Sequence, residues 1–171
     1  RKYDPELAFR PTGRSIGAVI SIALVAMSAY HFYAAGFGLI RELLHRGIHL
    51  SFVLGLVFLL FAWRRSISTE MPAPVWHRMG GVSVVDLILA VLAVAASLYL
   101  PLLPPEVISR RVGNPSDFDV VMGTALLVLT LEATRRSVGP TLPVIAMVFV
   151  AFALFGPWAP GALKHGGVAW E

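Results

Sequence analysis

Glu132, Arg135 and Arg136 stand three and four residues apart, so on a helix both guanidinium groups lie over the carboxylate. Glutamate N-terminal to arginine at four residues is the better order for such a pair. Arginines in a last helical turn also meet the negative end of the helix dipole. Asp86 is a second acid at the edge of an apolar run. Ser83-x-x-Asp86 has the form of a capping-box variant, which sets the acid in a first helical turn. Acids within apolar spans are functional candidates by default, because lipid penalises them, so an ion or proton pathway is the competing role. The expectation is a structural ion pair: Glu132 ionised and joined chiefly to Arg136 and also to Arg135, with Asp86 at the same level.

Three histidines form a second group. His45 and His49 are four residues apart on one helical face, and His31 falls near the same membrane level. Neutral imidazoles from two helices can ligate a haem iron. The plainer reading is three interfacial histidines at helix ends, and no metal or resident cofactor is expected. Arg110 and Arg111 lie in a turn-rich stretch with Pro104-Pro105 and Asn114-Pro115. They are candidate contacts for a docking partner, with lipid headgroups as the alternative. Cysteine is absent, which excludes disulfides, thiolate metal sites and a cysteine nucleophile. There is no glycine-rich phosphate loop, no H-E-x-x-H and no G-x-S-x-G, so the chain is not expected to be an enzyme.

The elements that must hold these residues are apolar. Of 171 residues 57% are hydrophobic and only 14% charged, about half the charge of an ordinary soluble domain. Mean hydropathy is +0.75. A helix needs about 20 apolar residues to cross the hydrocarbon core. Candidate spans are 15–36, 47–63, 82–103, 120–134 and 140–157, the last short enough either to cross or to dip in and return. Small residues four apart, Gly17 to Ser21 and Ser51 to Gly55, would allow close helix packing. The predicted fold is therefore all-α, a polytopic membrane bundle of four or five transmembrane helices. Residues 1–14 precede it and an outward-facing tail, 158–171, follows.

The basic residues flank the spans instead of forming one stripe, which argues against nucleic acid as a partner. With the N-terminus cytoplasmic, the inner segments hold nine of the 14 Lys and Arg and the outer ones five. The positive-inside rule thus favours a cytoplasmic N-terminus. The chain begins at Arg1, not Met, and reaches Glu171 without an obvious terminator, so a longer polypeptide is expected.

One string carries a resemblance: Leu131-Glu132-Ala133-Thr134-Arg135-Arg136-Ser137-Val138-Gly139-Pro140-Thr141-Leu142-Pro143. Phe155-Gly156-Pro157, Pro160-Gly161 and His165-Gly166-Gly167 follow it. Over residues 10–170 the chain resembles the small membrane module of fused TRAP transporter permeases (tripartite ATP-independent periplasmic transporters) of the TAXI type. Arg46-Gly47-Ile48-His49-Leu50 and Asp86 are similar to that family as well. The resemblance implies a scaffold that supports a larger transport module in a bacterial inner membrane and docks a periplasmic solute-binding protein. Two other roles stay open at this point: a haem-bearing membrane anchor of a redox complex, and an accessory subunit of another membrane complex.

Overall fold

The computed structural model describes residues 9–10, 12–38, 41–63, 78–79 (backbone only) and 81–168. Among them are six α-helices: α1 Arg14–Phe37, α2 Glu42–Leu60, α3 Val84–Leu102, α4 Pro105–Arg111, α5 Asp117–Ser137 and α6 Thr141–Leu154. A two-residue hairpin, β1 Arg78–Met79 with β2 Val82–Ser83, leads into α3. Two 3-10 turns, Gly156–Trp158 and Gly161–Leu163, follow α6. By length and composition α1, α2 and α3 can each cross a membrane. The chain is thus mainly helical, with three helices of spanning length and apolarity. α5 is long enough at 21 residues but carries acids in its first turn and arginines in its last. α6 carries no charged residue but has only 14 residues, about 21 Å of rise.

Helix bounds differ from the expected spans for local reasons. α2 starts at Glu42, five residues before Gly47, because the charged turn Glu42 to Arg46 is helical and has its own i,i+4 ion pair. The stretch 104–119, expected as a loop, contains α4. Pro105 at its first turn suits a fixed φ, and Arg110 and Arg111 close its last turn. Ser116 then caps α5 with a full capping box, its hydroxyl accepting from the Asp119 N–H and the Asp119 carboxylate accepting from the Ser116 N–H. At Ser83 only half of that device exists. Its hydroxyl accepts from the Val85 N–H, while Asp86 turns elsewhere.

α2 and α3 form the tightest interface. A Cβ on Gly47 would stand 2.4 Å from Pro101 Cγ and 3.0 Å from the Ser97 carbonyl, so only glycine lets the backbones approach this closely. Ser51 is buried, and a Cβ on Gly55 would lie 3.2 Å from Val94, continuing the same line. Pro101 offers no N–H to the Ser97 carbonyl. Beyond it, the Pro101 carbonyl is satisfied from outside by Arg41, at 3.0 Å. The core is a cluster of Leu54, Phe58, Ala90, Ala93, Ala96, Leu129 and Ala133, to which α2, α3 and α5 all contribute. α1 packs more lightly, burying only Ile20 and Ala34. Its Gly17 meets only Thr12, at 3.6 Å, so the Gly17 to Ser21 pair does not serve helix contact among the described residues.

Outside this core the surface is apolar. Val25, Phe32, Val91, Phe149 and many others are exposed, and no residue of α6 is buried. Such a skin is unsuited to water. In lipid the alternative surroundings of Phe58 or Leu54 are as apolar as the core, so packing and polar links hold the helices together.

Candidate functional site: a buried charge cluster

One end of the bundle gathers the starts and ends of several elements. α3 begins there, α2 and α5 end there, and the extended Phe9–Arg10 segment runs alongside. Phe9 bridges Phe61 in antiparallel fashion, their rings 4.9 Å apart, and the Arg10 N–H donates to the Leu60 carbonyl at 2.9 Å. That pairing delivers the Arg10 side chain to Asp86, which has little exposure.

Asp86 is bonded through both oxygens. Oδ1 accepts from Arg136 Nη1 at 2.7 Å, and Oδ2 accepts from Arg10 Nη2. The Arg136 side chain is fully buried. Its Nε donates to Glu132 Oε1 at 2.6 Å. Arg135 holds the same carboxylate in a fork, Nε to Oε2 at 2.7 Å and Nη2 to Oε1 at 2.9 Å. Both guanidinium groups also reach the chain just past α2: Arg136 Nη1 donates to the Phe61 carbonyl at 3.3 Å, Arg135 Nη2 to the Trp63 carbonyl at 3.2 Å. Aromatic faces complete the wall. Arg136 lies 4.9 Å from the Phe58 ring centroid, and Arg135 4.8 Å from that of Trp63.

The sequence-derived set Asp86, Glu132, Arg135 and Arg136 is therefore brought together, with Arg10, from the segment 1–14 that precedes the bundle, as a fifth member. Arg136 divides itself between both acids, and Glu132 is shared by both arginines. Chemically the cluster is a clamp. Each carboxylate is occupied by two arginines. Two donors, Arg10 Nη1 and Arg136 Nη2, are buried without a hydrogen-bond partner among the described residues.

A second network closes the opposite end. The Tyr99 hydroxyl donates to Asp119 Oδ1 at 2.7 Å, and Arg111 Nη1 donates to that oxygen at 2.9 Å and to the Tyr99 hydroxyl at 3.2 Å. The Tyr99 hydroxyl, with Ser116 and Arg111, holds the Asp119 carboxyl well below the usual carboxylate range. Bonding to Tyr99 and Asp119 raises the Arg111 guanidinium further. The two arginines expected to dock a partner thus part ways. Arg111 is turned inward onto α5, while Arg110 is exposed without a partner among the described residues.

The histidines do meet. His31 Nδ1–H donates to the Met27 carbonyl at 2.7 Å, its Nε2 faces His49 Nδ1 at 2.9 Å, and the Tyr30 hydroxyl lies 3.0 Å from His45 Nδ1. His31 and His49 are thus hydrogen-bonded to each other across α1 and α2. No group of three His, Asp or Glu suited to a metal occurs among the described residues.

No family model matches the chain, and no curated protein or solved structure matches it.

Proposed function

We propose that this chain is the small scaffold module of a TRAP-type secondary transporter, lying in a bacterial inner membrane with its N-terminus cytoplasmic. The reading adds α5 and α6 to the three long apolar helices as the fourth and fifth spans. It makes the clamp end cytoplasmic and the Tyr99–Asp119–Arg111 end periplasmic. The chain's task is mechanical: to hold a larger transport module in the bilayer and to present its outer face to a periplasmic solute-binding protein.

The observation that carries the proposal is the use made of the Glu132-to-Pro143 string. Within it Arg136 fastens α5 to Asp86 of α3, and Arg136 and Arg135 reach the carbonyls of Phe61 and Trp63 just past α2. Gly139 follows with φ +115, a conformation that favours glycine, and its N–H closes the helix on the Thr134 carbonyl at 3.2 Å. A string specific to the resemblance thus builds a fixed joint. Transporters bind ions and substrates near mid-membrane at broken helices. Here the described acids sit at helix ends and are paired or exposed.

Affinity purification tests this. A tag on this chain, expressed with the larger membrane module of a TAXI-type permease encoded beside or after it, is expected to retain that module in detergent. Recovery of this chain without it, under conditions where the module itself is stable, would contradict the proposal.

A further inference from the structure

After α6 the chain folds back on the helix it has just left. The His165 N–H donates to the Gly156 carbonyl at 3.2 Å, and the Val168 N–H reaches the Ala153 carbonyl at 2.9 Å. The imidazole of His165 rests directly on Gly156, where a Cβ would stand 2.1 Å from the ring. Its other side meets the Phe152 ring at 4.6 Å between centroids. Gly167 turns the backbone with φ +74, and a Cβ there would also press on Pro157 at 2.8 Å. Two separated pieces of the sequence, Phe155-Gly156-Pro157 and His165-Gly166-Gly167, are thereby one contact.

The two ring nitrogens have opposite duties. The Phe152 carbonyl can only accept, so His165 Nε2 carries a hydrogen and donates, at 3.1 Å. The Gly167 N–H can only donate, so His165 Nδ1 offers a lone pair, at 3.1 Å. Both bonds exist together only in the neutral Nε2–H tautomer.

We propose that His165 is a proton-operated latch. Neutral, it clasps the tail to the end of α6; protonated at Nδ1, it sets one N–H against another and releases the tail. The cation keeps its Nε2–H bond to the Phe152 carbonyl at the end of α6 but loses the Gly167 bond, and no free carboxylate among the described residues compensates that loss. The last turn of α6 presents Phe152, Ala153 and Leu154, and Gly156 and Pro157 are equally uncharged. Lys164 is positive and exposed. On α5 the carboxylate that lines the same cleft as Val168 is Asp119, already bound by Tyr99, Arg111 and Ser116. Glu171 lies outside the described residues. Imidazole is the side chain whose ordinary titration lies near neutrality, so modest acidification is the stimulus. The latch is independent of the scaffold proposal, since it rests only on this chain's own contacts.

The chain lacks cysteine, so Val168→Cys gives a single attachment point for a nitroxide. In lipid nanodiscs the label's spectrum is expected to be dominated by a slow component at about pH 8, and that component is expected to fall at least about twofold by about pH 5. In His165→Phe the slow component should be reduced already at the higher pH and stay unchanged on acidification. Gly156→Ala, which displaces the ring without altering its chemistry, should also free the label at the higher pH. A label equally immobile at both pH values would overturn the latch, and so would the same acid transition persisting in His165→Phe.

Discussion

Asp86 takes a different arginine on each oxygen, and neither arginine has another carboxylate of equal burial to turn to. Removing one partner of such a buried set costs roughly 3–5 kcal/mol, because the remaining charges are stranded. Asp86→Asn is expected to lose about that much, read as thermal unfolding in detergent. Glu132→Gln should cost less, because Arg135 is more than a third exposed and its share of the pair is screened to about 0.3–0.5 kcal/mol. In an assembled transporter Glu132→Gln should lower stability more than substrate affinity. Normal stability with lost ion coupling would instead make Glu132 a pathway residue. At the other end Asp119 sets an acid limit. Its unfolded carboxyl titrates near 3.8 and its folded one well below, so its contribution is complete above the unfolded value and is lost as pH falls through the folded one. Amide exchange in α4 should therefore quicken on acidification below about pH 4, and Asp119→Asn should remove that dependence. The Glu132–Arg136 pair was legible because four-residue spacing is a local property of a helix. The Arg10–Asp86 bond was not, since 76 residues separate its partners and no local signal distinguishes Arg10 from the other flanking arginines.

Helix α2 meets α3 along a line of small residues, and the tightest point is Gly47 against Pro101. Gly47→Ala should force the helices apart and destabilise by about 1–3 kcal/mol, the usual cost of overpacking. Gly17→Ala in α1, with only Thr12 nearby at 3.6 Å, should be neutral or gain up to about 1 kcal/mol from helix propensity. Comparing the two unfolding temperatures separates a packing glycine from an incidental one. The sequence alone offered Gly17 to Ser21 and Ser51 to Gly55 as equals, because spacing reports which residues share a face but not what that face meets. Composition also concealed α4. Its proline pairs and arginines read as turn chemistry, yet Pro105 opens a short helix and Ser116-x-x-Asp119 caps the next. Helix termini written in polar residues look like loops wherever apolar content is the main guide.

The whole molecule is an apolar bundle fastened at both ends by charge: Arg10, Asp86, Glu132, Arg135 and Arg136 at one, Arg111 and Asp119 at the other. The all-helical class and the three long apolar helices were legible because apolar runs of about 20 residues have few other uses. The direction proposed for the chain through the bilayer rests on the arginine bias and is open to single-cysteine labelling. A cysteine at Ser68 should be shielded from an impermeant reagent applied from the periplasmic side, and one at Asn114 should react; the reverse pattern would invert the topology. On the proposed function this bundle supports transport without performing it. Solute uptake into proteoliposomes tests this role, with this chain alone, with the larger module and its binding protein alone, and with all three together. Uptake is expected only from the complete set. Uptake by this chain alone, or full uptake in its absence, would rule out the scaffold role.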